Sequence, residues 1–260
     1  MGQDDRPVIL VSNDDGIGSA GLRALAESLS HLGHVVVVAP DREQSAAAHA
    51  LTLTRPLRVS PVNEGWYSVD GTPTDCIALA VMELLPRHPD LVAAGINHGP
   101  NLGDDVTYSG TVSLAMEATL QGIPAFAVSV AGKTDFDFRA AAMFSRRVAQ
   151  EILRRGLPKD TLLNINVPNL PPEAIRGVAV TRQGRRVYSE TVVRKIDPRG
   201  KVYYWIGGAE ATWERPGGTD YEAVTERWIS LTPLHLDLTN TQVLDQLKRW
   251  CLSLNGSPEA

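Results

Sequence analysis

The sequence predicts a doubly wound α/β fold, a mostly parallel sheet between two helix layers. Three observations point there. Short apolar runs recur through the first 170 residues, each about the length of a buried strand. Stretches with apolar residues at helical spacing separate them. The first of these units runs strand, helix, strand, a connection that implies parallel pairing through a right-handed crossover.

The elements follow in order. Val8 to Ser12 is an apolar run that stops at Asn13-Asp14-Asp15-Gly16, a strand entering a turn. Leu22, Leu25, Ala26, Leu29 and Leu32 share one helical face, and Gly33 ends it. His34 to Ala39 is the second strand, closed by Pro40. Thr72-Pro73 reads as a cap followed by proline in the first turn, with the helix running to Leu84. Leu91 to Ile96 is a strand ending at Asn97, and Thr111 to Gln121 a helix closed by Gly122. Ala125 to Val130 is a strand, Phe136 to Arg155 a long amphipathic helix, and Leu162 to Val167 a further strand.

The pattern changes near residue 170. Residues 1–170 form the expected catalytic core, and 171–260 an extension of the same structural unit. Arg176 to Thr181 reads as a strand. Tyr188 to Lys195 and Lys201 to Ile206 flank Asp197-Pro198-Arg199-Gly200, a turn sequence, which makes a β-hairpin arm carrying Tyr203, Tyr204 and Trp205. These aromatics pack either on the same chain or on a partner subunit. Ile229 to Leu234 is a late strand and Thr241 to Leu252 a terminal amphipathic helix.

Composition narrows the function. Lys and Arg total 25 against 30 Asp and Glu, a net charge of −5. That is no electrostatic footprint for long nucleic acid. The two cysteines, Cys76 and Cys251, make no disulfide framework and read as buried free thiols. No apolar run approaches the ~20 residues that span a bilayer, and the polar start lacks a secretion signal, so a cytoplasmic location is expected.

In an open parallel sheet, ligands bind beyond the carboxyl ends of the strands. Three such ends carry oxygen-bearing side chains: Asn13, Asp14 and Asp15; the loop holding Asp41 to Ser45; and Asn97 with the glycine-rich loop to Ser109, Gly110 and Thr111. Adjacent carboxylates repel unless a cation stands beside them, and hard oxygen ligands suit Mg²⁺, Mn²⁺ or Ca²⁺. Ser109-Gly110-Thr111 falls at a helix start, where free amides and the dipole favour a phosphate. Bland readings remain beside these. Asn-Asp-Asp-Gly is an ordinary turn, Ser109 or Thr111 an ordinary cap, and His49 and His98 ordinary loop residues. Glu117 reads as a surface or packing charge. The chain has no Gly-x-x-x-x-Gly-Lys loop and no Gly-x-Gly-x-x-Gly after its first strand.

Several motifs together resemble the SurE (survival protein E) nucleotidases: Ile9 to Ile17, Val38 to Ser45, Val69 to Cys76, Gly95 to Val112, Gly218 to Asp220, and Ile229 to Leu234. The resemblance spans residues 8 to 238 in the same order. It implies a Rossmann-like three-layer α/β/α sandwich with a protruding hairpin and C-terminal helix. It implies hydrolysis of nucleoside 5′- and 3′-monophosphates, with short polyphosphate as a possible further substrate. By motif, one divalent ion, Mg²⁺ or Mn²⁺, falls to Asp14, Asp15, Ser45 and Asn97. Homodimers or homotetramers with exchanged C-terminal segments are implied as well. One departure stands out. Ala46-Ala47-Ala48-His49 lies where many members have glycine before the histidine, which bears on the loop's backbone and not on the ligand positions.

The expected chemistry is metal-assisted hydrolysis of a phosphomonoester. Asp14 or Asp15 orients water, and Ser109, Gly110 and Thr111 hold the non-bridging oxygens. Two alternatives stand against it. A phosphatase of the haloacid dehalogenase type wants Asp-x-Asp after the first strand, whereas these aspartates are adjacent. A nucleotide-binding module would keep the pocket without turnover.

Overall fold

The computed structural model describes residues 6–187, 192–206, 212–214, 217–250 and 252. Its core alternates β1 (Val8–Ser12), α1 (Ala20–Leu29), β2 (His34–Pro40), β3 (Val59–Asn63), β4 (Trp66–Val69), α2 (Pro73–Leu79), β5 (Leu91–His98), α3 (Gly110–Leu120), β6 (Ala125–Ala131), α4 (Arg139–Arg155) and β7 (Thr161–Pro168). Beyond it lie β8 (Gly177–Val180), β9 (Arg186–Val187), β10 (Val192–Ile196), β11 (Val202–Ile206), β12 (Thr212–Trp213), α5 (Asp220–Thr225), β13 (Trp228–His235) and α6 (Leu244–Lys248).

One nine-stranded sheet runs β3-β4-β2-β1-β5-β6-β7-β13-β8. It is parallel except where β3 meets β4 and β13 meets β7. Alternate residues of each strand feed two separate cores. Ile9, Val11, Val37, Phe126, Val128 and Ile165 pack under α1 and α4. Leu10, Val36, Val38, Val92, Ala127 and Leu162 pack under α2 and α3. This is the double winding that the apolar runs imply. The chain leaves β1 toward β2, then returns to β1's other side as β5, so the switch point lies between β1 and β5.

Local chemistry sets the helix starts. Ser19 caps α1, and Thr72 and Asp75 form a reciprocal capping box on α2 with Pro73 in its first turn. α2 ends sooner than the spacing suggests, passing at Ala80–Leu84 into a π-helical turn. α4 starts three residues later than expected. Asp137 accepts from the Arg139 backbone N–H (3.0 Å), so the chain through Phe136 and Phe138 is loop.

β3 and β4 carry no clear sequence signal. β3 is a largely exposed edge strand interrupted by Pro61, so it lacks an apolar run. The hairpin forms as β10–β11 around Asp197, whose Oδ1 accepts from the Arg199 and Lys201 amides, both at 2.8 Å. Its expected first residues, 188–191, lie outside the described residues, as does Cys251. The terminal helix is shorter than expected: a 3₁₀ turn at Thr241–Val243 and then α6. Leu244, Leu247 and Trp250 are exposed, so among the described residues no packing extends it.

Candidate active site

Asp14 sits just past β1 and is 6% exposed. The turn behind it is closed by Asn13 Nδ2, which donates to Gly16 O (3.1 Å), and by the Ile17 amide, which donates to Pro40 O (2.8 Å). From the other side comes the start of α3. Thr111 donates its hydroxyl to Asp14 Oδ1. Gly110 lies so close that a Cβ there would stand 2.7 Å from Asp14 Oδ2. Burial, and after it the charge of Asp15, pushes the Asp14 carboxyl up from the usual 3.8 to about 6, against hydrogen bonds from Thr111 that pull it down.

Ser45 is carried by the loop after β2. The Gln44 amide donates to Asp14 O at 2.8 Å, which anchors the loop beside the aspartate. Ser45 is exposed and its hydroxyl donates to Glu43 Oε1 (2.6 Å). Ala46 and Ala48 follow at φ 57° and 52°, the left-handed region that glycine occupies without strain. The backbone thus holds Ala48 in a conformation suited to glycine. His49 then pins the loop to α3, with Nε2 2.8 Å from Glu117 Oε2. Of the two roles expected for Glu117, surface or packing charge, the structure shows the packing one. Its side chain is 13% exposed, and its other oxygen accepts from Gln121 Nε2.

Asn97 comes from the end of β5, where the strand passes so close to β6 that only glycine fits at 95. A Cβ there would meet Val128 O at 2.3 Å, and φ is +133°. Asn97 Nδ2 donates to Gly99 O (2.9 Å), which leaves its amide oxygen as the group suited to a cation. Next to it, His98 Nδ1 stands 2.8 Å from Asp15 Oδ2, without the alignment of a hydrogen bond. The imidazole edge-packs against Phe136 and Phe138, at 5.2 and 5.0 Å between ring centroids.

Asp14, Asp15, Ser45, Asn97 and Ser109 all line one cleft of about 1080 Å³ over the switch point. Gly110 and Thr111 stand behind Asp14 instead of lining it. Ser109 caps α3 by accepting from the Val112 amide (3.0 Å), which leaves its hydroxyl proton for another acceptor. Among the described residues no three His, Cys, Asp or Glu side chains gather in a metal-holding arrangement. Any cation would therefore rest on two carboxylates completed by hydroxyl and amide oxygens. That donor set fits a hard divalent ion, and burial makes an uncompensated charge on Asp14 costly.

The sequence reading missed two features. Under the cleft, Asn101 joins Ser129, Asn164 and Asn166 in a buried polar network with bonds of 2.8 to 2.9 Å. Asparagines two apart in an otherwise apolar strand were the available signal. Arg186 and Asp105 also reach the cleft, paired at 2.6 Å. Arg186 comes from beyond residue 170, and nothing in its local sequence marks it.

Comparison with known proteins adds to this geometry. The family model described as "Survival protein SurE" matches residues 9–190. The chain is 56% identical over 246 residues to "5′-nucleotidase SurE" of Geobacter sulfurreducens, covering 94% of each. It is 55% identical over 243 residues to the protein of that name from Pelobacter propionicus, covering 93% of this chain and 98% of the relative. Among solved structures it resembles the SurE protein from Aquifex aeolicus, with a TM-score of 0.85 and 49% identity, over 94% of this chain and 99% of that one.

Proposed function

The chain belongs to the SurE family, and from that footing we propose that it cleaves the phosphate from nucleoside monophosphates in the cleft between β1 and β5. It is a phosphomonoesterase, a 5′-nucleotidase of the SurE type. The observation that carries the site assignment is the shared cleft: Asp14, Asp15, Ser45 and Asn97 line it together with Ser109. Neither alternative is favoured. The aspartates are adjacent rather than one residue apart, and the relatives at 55–56% identity bear an enzyme's name.

We assign one divalent ion, Mg²⁺ or Mn²⁺, to Asp14, Asp15, Ser45 and Asn97. When bound, it would supply positive charge against the phosphoryl oxygens. This chain's residues supply the rest. Thr111 and Gly110 fix the Asp14 carboxylate in place. Asp14 or Asp15 orients the attacking water and accepts its proton, which returns through solvent to the leaving nucleoside oxygen. Ser109 donates its hydroxyl to a non-bridging oxygen, with the first amides of α3, at Gly110 and Thr111, adding the helix-start field. Burial of Asp14 strengthens each of these interactions by excluding water.

The 3′-monophosphate and polyphosphate activities extend the same chemistry to other esters and anhydrides. We assign the protein to the cytoplasm; among the described residues no helix is long and apolar enough to cross a membrane. Exposed Tyr204 and Trp205 on the hairpin and Leu247 and Trp250 near the C-terminus support assembly into homodimers or homotetramers through residues 171–260.

Phosphate release from AMP tests the reading. We expect turnover with Mn²⁺ or Mg²⁺, abolition by EDTA, and recovery on readdition of the ion. Turnover that persists in EDTA, or a trapped phospho-enzyme, refutes it.

A further inference from the structure

We propose that Tyr108 is the platform on which the base stacks when a nucleoside 5′-monophosphate lies in the cleft. The inference rests on the nucleotidase reading and adds to it the part of the site that recognises the base.

A nucleotide brings two unlike ends to the cleft, an anionic phosphate and a flat, uncharged base. The groups assigned to the phosphate stand at the strand ends and at the start of α3. The base needs a different surface, and an aromatic face suits every base because each has a π-face of its own. Two aromatic side chains line the cleft, His98 and Tyr108. His98 is committed elsewhere. Phe136 and Phe138 pack against it, and its Nδ1 stands 2.8 Å from Asp15 Oδ2, at the end assigned to the metal. Tyr108 is 60% exposed, and among the described residues no aromatic ring packs on it. The apolar remainder of the lining, Ile17, Ala20, Ala46 and Pro100, is aliphatic and offers no flat face.

Tyr108 is also well placed and firmly held. It directly precedes Ser109, the side chain assigned to a non-bridging oxygen, so their Cα atoms stand about 3.8 Å apart. In a 5′-nucleotide a single ribose joins phosphate to base, and neighbouring groups on the protein can serve both ends. The Tyr108 backbone N–H donates to Asp105 O (3.0 Å), closing the 3₁₀ turn Gly103–Thr107. On the inner side of that turn Val106 is buried, and the Gly103 amide donates to buried Asp220 at 2.8 Å. The backbone under the ring is therefore set before substrate arrives. A tyrosine side chain has only two rotatable angles to fix, so stacking costs little order.

The test is hydrolysis of AMP with Mn²⁺, with adenosine and inorganic phosphate as inhibitors. Tyr108→Ala should raise KM for AMP and the adenosine inhibition constant at least fivefold, with the phosphate inhibition constant within twofold of wild type. Tyr108→Phe keeps the ring and should restore wild-type values. An adenosine inhibition constant within twofold of wild type in Tyr108→Ala overturns the proposal; if that variant does not fold, the same result in Tyr108→Leu overturns it. Equal weakening of adenosine and phosphate also overturns it, since that marks a merely structural role. Light scattering supplies a further check. A changed assembly state in Tyr108→Ala, with adenosine inhibition unchanged, assigns the ring to a subunit contact and overturns the proposal. Calorimetry with adenosine needs no turnover and keeps the two readings apart. A wild type that binds adenosine through Tyr108 but releases no phosphate from AMP refutes the nucleotidase reading alone. A wild type that cleaves AMP, beside a Tyr108→Ala variant that binds adenosine equally well, refutes this proposal alone.

Discussion

Thr111 donates its hydroxyl to Asp14 across the gap between the start of α3 and the end of β1. This bond couples the helix proposed to face the phosphate to the carboxylate assigned to the metal. Thr111→Val keeps the shape and removes the donor. A hydrogen bond to a buried charged group contributes about 1.5–3 kcal/mol, so kcat/KM for AMP should fall roughly 10- to 100-fold. Thr111→Ser should recover most of it. Steady-state kinetics at saturating Mn²⁺ decides.

Gly110→Ala probes the same junction sterically. Its Cβ would stand 2.7 Å from Asp14 Oδ2, so the carboxylate must shift. Activity should drop at least tenfold while circular dichroism reports an intact fold. Wild-type turnover by this variant would show that Asp14's position is not critical.

Asp14 also predicts a pH effect in metal-free protein. Its folded carboxyl is raised from 3.8 to about 6, so between those values the folded state holds more protons than the unfolded one. Stability due to this group is therefore full at low pH and lost as pH rises toward 7, by about 3 kcal/mol at most. Asp14→Asn removes the penalty. In EDTA it should be more stable than wild type at pH 7, and the gap should close toward pH 4. Urea unfolding of both proteins across that range isolates the difference. Mn²⁺ should stabilise wild type and leave the variant unchanged, and the variant should lose most activity.

The Ser45 loop gives a separate prediction. Ala48 sits at φ 52°, which costs an alanine about 1–2 kcal/mol, partly offset by the greater freedom glycine loses on folding. Ala48→Gly should raise stability by up to about 1 kcal/mol at unchanged kcat. His49→Ala cuts the tie to Glu117 and should weaken Mn²⁺ binding severalfold, measured by calorimetry, with little change in melting temperature.

The sequence made the scaffold legible because double winding leaves a plain trace: strands buried on both faces become unbroken apolar runs, and glycines mark helix ends. The cleft-lining oxygens could be read at Asp14, Asp15, Ser45, Asn97 and Ser109 because they follow strand ends. β3 was silent because an exposed edge strand needs no apolar pattern. Arg186 was silent for another reason. Its place beside Asp105 depends on residues 81 positions apart in the chain meeting through Asp220, and no local spacing encodes that. The late start of α4 was hidden too, since Phe136 and Phe138 keep the helical rhythm while packing on His98.

The placement of β13 carries a practical consequence. It pairs with β7 from Ser230–Asn166 to His235–Thr161, and β8 hangs from its far side. A fragment trimmed near residue 170 would keep the aspartates but bare the whole flank of β7, an open seam of backbone donors and acceptors ready to zip onto a neighbouring molecule. Such a fragment should clump rather than work. The tail thus guards the enzyme against self-adhesion while delivering a charged residue to the cleft.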